Sequence, residues 1–249
     1  MPQRSFAVFD IDGTLIRWQL YHALADNLVK LGAIDSKEYE KVLQARRNWK
    51  NRRAVNSFND YETAMIGLVS RSLPNMAYDT FAKACVDVFS RYQDQVYSFT
   101  RDLITELRQQ NYLLFAVSGS PDELVSMVAD YYSFDDYAGT VYEVLNGRLS
   151  GKYKTMLNDT KAKSLKHLIA KHGATKTGSI GVGDTASDSG MLNLAERAIA
   201  FNPSRELFQI AANFGWDIII ERKNMVYRLK YTHGQYVLAD TNERQTAIF

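Results

Sequence analysis

The chain lacks several features that other classes of protein require. Cys85 is the single cysteine among 249 residues, which excludes an internal disulfide and a zinc site built from several cysteines. It stands in the apolar stretch "FAKACVDVF", which is typical of a small buried side chain. No stretch approaches the roughly 20 apolar residues of a membrane span, and the N-terminus lacks the apolar run of a signal peptide. We therefore expect a cytoplasmic protein with no membrane partner.

The chain also lacks a large excess of charge of either sign. The net charge is +2, which favours no class of charged partner. One local exception is the stretch from Lys41 to Arg53, which has six basic residues and no acidic ones. A solvated helix face is the simplest interpretation, and a patch that steers anionic substrates is the alternative. No binding module accompanies this stretch, so we expect no nucleic-acid partner, and the sequence specifies no oligomeric state.

Alternating apolar runs and helical periods predict the fold. "SFAVF" (residues 5–9) is typical of a buried parallel strand, and further short strands alternate with helices after residue 97. Between them lies a helical block with no convincing strand. Such alternation predicts an α/β fold with a doubly wound parallel sheet. We predict a discontinuous core at residues 1–15 and 97–249, an inserted helical cap domain at 16–96, and a small β-hairpin turning at Asn146-Gly147.

Local signals predict where several helices begin and end. Asp35 resembles the first residue of a capping box, and Thr100 is placed to cap a later helix. Ser120 precedes Pro121 and two acidic residues, a pattern typical of a helix start. Gly173 is placed to close the helix that begins near Lys161. "AIAF" and "DIIIE" are predicted to be the last strands.

Polar residues gather where the predicted strands end, which is where open α/β sheets bind ligands. Two carboxylates follow the first strand, a Ser-Gly pair follows "LLFAV", and two more carboxylates follow "SIGVG". A lysine opens the helix before that last strand. These residues are Asp10 and Asp12, Ser118 and Gly119, Asp184 and Asp188, and Lys161.

The charges of these residues predict a metal and a phosphate. Lys161 lies in the first turn of its helix, where a cation is unfavourable by roughly 0.3–1 kcal/mol unless an anion is near. The four aspartates form a set of hard oxygen ligands without a soft one, which favours Mg²⁺. Ser118 and the free amides before the next helix form a site typical of anions.

This arrangement predicts a phosphoryl-transfer chemistry. With Mg²⁺ between Asp10 and Asp184, Asp10 is free to attack phosphorus. Asp12 is placed to give a proton to the leaving group and then to take one from water. Thr14 offers a hydroxyl to orient Asp12 or a phosphate oxygen. Lys161, together with the Ser-Gly pair, holds the oxygens that gain charge in the transition state.

These residues resemble the haloacid dehalogenase superfamily of phosphohydrolases. All four of its motifs occur in order: "DIDGT" (10–14), "SGS" (118–120), Lys161 with Leu165 four residues later, and "GDTASD" (183–188). The helical insert resembles the subclass that contains phosphoserine phosphatase. The resemblance implies Mg²⁺, an aspartyl-phosphate intermediate, and a set of roles for the matching residues. It implies Asp10 as nucleophile and ligand, Asp12 as acid/base and ligand through its carbonyl, Ser118 and Lys161 on phosphate, Asp184 on the metal, and Asp188 supporting its water shell.

The insert departs from that subclass where it would meet the substrate. The subclass has a glutamate at the position of Gln19, and a cap arginine where this chain has an apolar region near Leu68, so phosphoserine is disfavoured. The candidates for contacting the leaving group are Trp18, Gln19, Tyr21 and His22, although His22 is more typical of a helix surface.

We therefore expect a Mg²⁺-dependent phosphomonoesterase acting on a small phosphorylated metabolite. Two alternatives remain open. One is a phosphoryl transferase on the same scaffold. The other is a non-catalytic phosphate-binding regulatory protein.

Overall fold

Helices and strands alternate through most of the chain. The computed structural model describes residues 3–157 and 160–242. The helices are α1 (Leu20–Lys30), α2 (Ser36–Lys50), α3 (Ser57–Ser72), α4 (Tyr78–Tyr92), α5 (Ser98–Gln109), α6 (Asp122–Tyr131), α7 (Lys161–His172), α8 (Ser189–Leu192) and α9 (Arg205–Phe214). The strands are β1 (Ser5–Phe9), β2 (Leu113–Pro121), β3 (Asp136–Leu145), β4 (Arg148–Thr155), β5 (Thr175–Gly183), β6 (Arg197–Phe201), β7 (Asp217–Arg222), β8 (Met225–Thr232) and β9 (Gln235–Asn242).

The chain divides into two compact units. The first comprises Met1–Trp18, Tyr92–Thr140 and Met156–Phe249, and the second comprises Gln19–Arg91 and Val141–Thr155. The second unit thus contains β4 and the second half of β3 as well as the helices of the insert. The predicted domain boundaries, which leave the hairpin in the core, stay a prediction.

The first unit is built on a sheet in the order β3-β2-β1-β5-β6-β7-β8-β9. From β3 to β7 all neighbours run parallel, and β8 and β9 are antiparallel additions. The predicted α/β fold with a mainly parallel sheet is confirmed. The prediction that "DIIIE" is the last strand is wrong, because β8 and β9 follow it. The end of the predicted core, residues 243–249, lies outside the described residues.

Strand β1 lies at the centre because both of its faces are apolar. Phe6, Ala7, Val8 and Phe9 are all fully buried. Phe6 and Val8 belong to one apolar cluster with Leu165 and other residues of α7, α8 and α9. Since successive strand residues alternate in direction, Ala7 and Phe9 face the opposite side of the sheet. Burial on both faces fixes β1 between β2 and β5, so the chain leaves it at the middle of the carboxyl edge.

The second unit packs helices α1 to α4 with the β3–β4 hairpin. The ring of Tyr142 on β3 lies 5.4 Å from that of Phe81 on α4, centroid to centroid. The hairpin turns at Asn146 and Gly147, with φ angles of 49° and 73°. Positive φ at both positions is the requirement of a type I′ turn, and the predicted hairpin is confirmed.

The basic stretch of α2 is partly turned inward. Arg46 donates to both carboxylate oxygens of Asp26, at 2.6 and 3.1 Å, and to the hydroxyl of Tyr61 at 2.9 Å. Arg47 pairs with Glu40 at 2.8 Å. Lys41 lies 3.8 Å from a carboxylate oxygen of Glu38. Three of the six cations are therefore paired with carboxylates within the unit, which weakens the interpretation as a steering patch.

Some predicted helix ends are confirmed and others are wrong. Asp35 accepts from the N–H groups of residues 37 and 38 and caps α2, and Gly173 closes α7 with a φ of 59°. Thr100 does not cap α5, which begins two residues earlier. In its place Glu221 of β7 accepts from the N–H groups of Ser98 and Phe99, at 3.1 and 2.9 Å. A distant carboxylate thus replaces the local cap.

In residues 3–157 and 160–242, no helix has enough consecutive apolar residues to cross a membrane.

Candidate active site

The loop after β1 is a tight turn that fixes two aspartates. The Asp10 N–H donates to the carbonyl of Val182 on β5 at 3.0 Å, which ties the start of the loop to the neighbouring strand. The carbonyl of Ile11 then accepts from the N–H groups of residues 14, 15 and 16. Gly13 has a φ of 81°, a conformation that a residue with a side chain rarely adopts. The sequence "DIDGT" is therefore shaped by the turn as well as by its carboxylates.

Lys161 binds two carboxylates from different parts of the chain. Its Nζ donates to Asp10 Oδ1 at 2.7 Å and to Asp188 Oδ1 at 2.6 Å. The three residues are 6%, 3% and 0% exposed, respectively. Burial alone would lower the pKa of Lys161, but the charges of Asp10 and Asp188 raise it above its usual value. The ammonium group stays protonated, and the anions offset its unfavourable place at the start of α7.

Asp184 brings a third carboxylate to the same place. Carboxylate oxygens of Asp10, Asp184 and Asp188 lie within 4.8 Å of one another, and we call these three residues the acidic cluster. Burial and the charge of Asp188 together raise the pKa of Asp10 to about 7, against the opposing charge of Lys161. Burial and the other two carboxylates also raise the pKa of Asp184. One ammonium group does not balance three carboxylates, so the cluster favours a further cation.

Gly183 allows Asp188 to approach the strand. A Cβ atom at position 183 would lie 2.6 Å from the Cβ of Asp188, which is closer than real contacts permit. Asp188 also accepts from the N–H groups of Asp184 and Thr185, at 3.1 and 2.9 Å. Gly183 is therefore a site residue that the sequence analysis missed, although the glycine of "GDTASD" was a visible signal.

Asp12 is held by two serines of β2. Ser118 Oγ and Ser120 Oγ each donate to Asp12 Oδ2 at 2.8 Å, and the Ser120 N–H donates to Ser118 Oγ at 3.0 Å. The prediction that Ser120 caps the next helix is wrong, because α6 begins at Asp122 and Ser120 faces the site instead. Both serines therefore bind the same oxygen of Asp12.

Thr14 and Gly119 support the loop and the strand end. The Thr14 hydroxyl donates to Asp184 Oδ1 at 3.3 Å and not to Asp12, one of the two partners predicted for it. Its carbonyl accepts from Thr100 Oγ1 at 2.9 Å, which ties the loop to α5. The Gly119 carbonyl accepts from Thr140 Oγ1 at 2.7 Å. All of the predicted core residues lie at the carboxyl ends of β1, β2 and β5 or at the start of α7.

The predicted leaving-group contacts fall in both units. Trp18 ends the first segment of the first unit, half-buried, and its indole Nε1 has no hydrogen-bond partner in the part of the chain that the structure describes. Gln19, Tyr21 and His22 belong to the second unit. Gln19 precedes α1 without capping it. The roles of all four residues stay predictions.

Tyr21 and His22 are engaged inside the second unit. Burial raises the pKa of the Tyr21 hydroxyl, which lies in hydrogen-bonding reach of Tyr142. The expectation that His22 lies on a helix surface is wrong, since it is 2% exposed and its ring lies 4.7 Å from that of Tyr61. Burial lowers the pKa of His22 to about 4, so its imidazole is neutral near pH 7.

The comparison with known proteins agrees with this arrangement. Residues 7–193 match the family model of haloacid dehalogenase-like hydrolases. A phosphoserine phosphatase of Archaeoglobus fulgidus is 24% identical over 90% of this chain, but the match spans only 58% of that protein. A histidinol-phosphatase of Neisseria meningitidis serogroup C is 24% identical over 87% of this chain and 98% of its own length.

Solved structures show the same fold. A structure described as a phospho-aspartyl intermediate analogue of phosphoserine phosphatase is 21% identical and has a TM-score of 0.63, covering 89% of this chain and 95% of its own. The family match covers most of the chain and includes the loop after β1, the serines of β2, Lys161 and the acidic cluster. The chain therefore belongs to the haloacid dehalogenase-like hydrolase family.

Proposed function

We propose that this protein hydrolyses phosphate monoesters of small metabolites, with Mg²⁺ as its cofactor and a phosphorylated Asp10 as its intermediate. The observation that carries this proposal is the buried Lys161, whose ammonium group bridges Asp10 and Asp188 beside a third carboxylate. A structural ion pair needs one acid for one base. The surplus of acid on a ligand-binding edge of the sheet supports a site for a cation and a phosphate.

The acidic cluster fits Mg²⁺. Its three carboxylate oxygens converge within 4.8 Å, and hard oxygen ligands are those that Mg²⁺ prefers. Asp10 and Asp184 would hold the ion, with the backbone carbonyl of Asp12 as a further ligand and Asp188 supporting its water shell. When bound, Mg²⁺ supplies positive charge that polarises phosphoryl oxygens and lowers the repulsion between Asp10 and the incoming phosphate.

Asp10 is the nucleophile of the first step. One of its carboxylate oxygens attacks phosphorus, an oxygen–phosphorus bond forms, and the bond from phosphorus to the ester oxygen breaks. Asp12 gives its proton to that departing oxygen. In the second step Asp12 takes a proton from water, the water oxygen attacks phosphorus, and the bond to Asp10 breaks to release phosphate.

The neighbouring groups prepare both steps. Ser118 and Ser120 both donate to Oδ2 of Asp12, which orients its carboxyl group for the exchange of the proton. An ammonium group has three N–H donors, and Lys161 uses two of them on carboxylates, so the third is available to a phosphoryl oxygen. This donor acts on charge that grows in the transition state.

The experiment is a hydrolysis assay with p-nitrophenyl phosphate and a panel of phosphorylated metabolites. We expect activity that EDTA abolishes and Mg²⁺ restores. Asp10→Asn should abolish it, while Asp130→Asn, an exposed aspartate on α6, should leave it unchanged. In Asp12→Asn, acid quenching and mass spectrometry should find phosphate on the peptide that contains Asp10, because the second step is slowed more than the first.

Three results would contradict the proposal. Wild-type turnover by Asp10→Asn would remove Asp10 as the nucleophile, and activity in EDTA would remove the metal. Transfer of the phosphoryl group to added alcohols in preference to water would indicate a transferase instead.

A further inference from the structure

The loop that carries Asp10 continues into a short antiparallel pairing with the segment before α5. The Arg17 N–H donates to the Gln95 carbonyl at 2.7 Å, and the Tyr97 N–H donates to the Leu15 carbonyl at 3.0 Å. In this register Leu15 lies opposite Tyr97, and Arg17 is its diagonal neighbour on the same face. The backbone therefore sets the side chains of Arg17 and Tyr97 against each other.

Tyr97 is a fixed platform beside the acidic cluster. Its ring packs edge-on against Phe201, with centroids 4.9 Å apart. Phe201 ends β6, and the Ser204 N–H in the loop that follows donates to the carbonyl of Asp184 at 2.8 Å. These contacts place Tyr97 at the carboxyl end of β6, beside the loop that carries Asp184. Burial and the charge of Asp184 raise the pKa of the Tyr97 hydroxyl, Glu221 raises it as well, and Arg17 and a hydrogen bond with Asn202 lower it.

Arg17 lies on this platform with its charge exposed. Its guanidinium carbon is 5.6 Å from the centroid of the Tyr97 ring, within the range of a cation–π contact. In residues 3–157 and 160–242, no carboxylate lies within salt-bridge distance of Arg17. The contact orders the guanidinium group without neutralising it, so its donors remain available to an anion.

The two cations near the site are differently placed. Lys161 is buried and already shared between Asp10 and Asp188. Arg17 is on the surface of the same unit, seven residues beyond the proposed nucleophile, and presents a planar fork that matches carboxylate and phosphate oxygens. A guanidinium group in this position suits the part of the substrate that does not react.

We propose that Arg17 binds a second anionic group of the substrate, so that the enzyme selects phosphate monoesters whose leaving group carries a carboxylate or another phosphate. This inference rests on the proposed function and names the substrate class of the same site. Lys161 and the metal act on the ester phosphate, and Arg17 acts on the remote anion. Tyr97 is a positioning residue, because it acts through Arg17.

The experiment compares pairs of substrates that differ in one carboxylate. O-phosphoserine is paired with O-phosphoethanolamine, and 2-phosphoglycolate is paired with ethyl phosphate. The wild type should prefer the carboxylate-bearing member of each pair. Arg17→Gln should lower kcat/KM about ten-fold for those members, mainly through KM, and should change it less than about two-fold for their partners. Arg17→Lys should retain part of the preference.

Three further variants separate a specific contact from a general effect. Arg101→Gln removes another exposed arginine of the same unit, on α5, and should leave the preference unchanged. Tyr97→Leu removes the platform and should reproduce part of the Arg17→Gln effect, whereas Tyr97→Phe retains the ring and should not.

The inference and the proposed function fail in different ways. Equal changes by Arg17→Gln in both members of a pair, or no wild-type preference for the carboxylate, would overturn the inference while hydrolysis dependent on Asp10 stands. Should no ester be hydrolysed, the proposed function fails. Calorimetry then still tests the inference. The affinity for each member of the same pairs would be measured for Asp10→Asn, which retains Arg17, and for the double variant Asp10→Asn with Arg17→Gln. Equal affinities of Asp10→Asn for the two members of a pair would overturn the inference.

Discussion

Raising the pH should destabilise the metal-free protein through Asp10. This residue is 3% exposed, and burial together with the charge of Asp188 raises its pKa from 3.8 to about 7, although Lys161 lowers it. The folded protein therefore retains a proton at Asp10 that the unfolded chain releases above about pH 4. Since the folded pKa is the higher one, the stabilising contribution is complete below pH 4 and is lost as the pH rises to about 7.

The magnitude follows from the two pKa values. At about 1.4 kcal/mol for each pH unit, a rise from 3.8 to about 7 corresponds to a loss of about 4 kcal/mol from the free energy of unfolding. Asp184, whose pKa is raised as well, acts in the same direction. His22 opposes them, because a pKa lowered from 6.5 to about 4 adds stability as the pH rises between those values.

The assay must therefore be a difference between two proteins. We would measure urea unfolding in EDTA at several pH values between about 4 and 8, for the wild type and for Asp10→Asn. The wild type should lose about 4 kcal/mol relative to Asp10→Asn across this range, since His22 is common to both. Asp130→Asn should keep the wild-type profile. Adding Mg²⁺ near pH 8 should restore much of the lost stability, because a cation replaces the proton.

Parallel profiles of the wild type and Asp10→Asn would refute this reasoning. They would mean that Asp10 titrates at the same pH in the folded and unfolded chains. An increase in wild-type stability relative to Asp10→Asn as the pH rises would refute it as well, because it would require that Lys161 lowers the pKa of Asp10 more than burial raises it.

The remaining predictions concern the groups around this carboxylate. Lys161→Met should lower kcat on p-nitrophenyl phosphate by at least about 100-fold, whereas Lys163→Met, at an exposed position, should not. Equal activity of the two variants would show that the ammonium group of Lys161 has no role in the reaction. Ser120→Ala should lower kcat about ten-fold with little change in KM, because Asp12 loses one of two hydroxyl donors; an unchanged kcat would assign its orientation to Ser118 alone. Gly183→Ala should cost about 1–3 kcal/mol in urea unfolding because its Cβ meets a side chain at 2.6 Å, and wild-type stability would show that the neighbour moves freely.

The central strands and the positions of the motifs could be predicted from the sequence. Burial on both faces makes β1 an unbroken apolar run, which is a strong local signal. In a parallel sheet, the carboxyl ends of such strands meet at one edge, so Asp10, Ser118 and Asp184 had to come together. Lys161 was predictable for a different reason: a cation at a helix start is unfavourable without an anion, and the structure supplies two.

The two misplaced caps have a common physical cause. Ser120 is followed by Pro121 and acidic residues, which matches a helix start in every local respect, yet the hydroxyl donates to Asp12, 108 positions earlier in the chain. The start of α5 carries no local cap because Glu221 supplies one from 122 residues away. Partners so distant in sequence leave no periodic or spacing signal beside the residue that they contact.

The last two strands were missed although one of them carries a strand signal. Tyr227, Leu229 and Tyr231 of β8 alternate with polar residues, but the strand is half-buried or exposed along its whole length. The antiparallel pairing with β7 and β9 holds them by backbone hydrogen bonds, which most sequences can make.

The route of the chain between the two units limits how the protein can be dissected. The chain crosses from one unit to the other at residues 18/19, 91/92, 140/141 and 155/156. A protease that cleaves at one crossing leaves the two units joined by the chain at the other three crossings. Deletion of residues 19–91 alone would also remove Phe81, the aromatic partner of Tyr142 in the β3–β4 hairpin. A minimal fragment that retains the first unit therefore has to replace the β3–β4 hairpin by a short turn as well as lack helices α1 to α4.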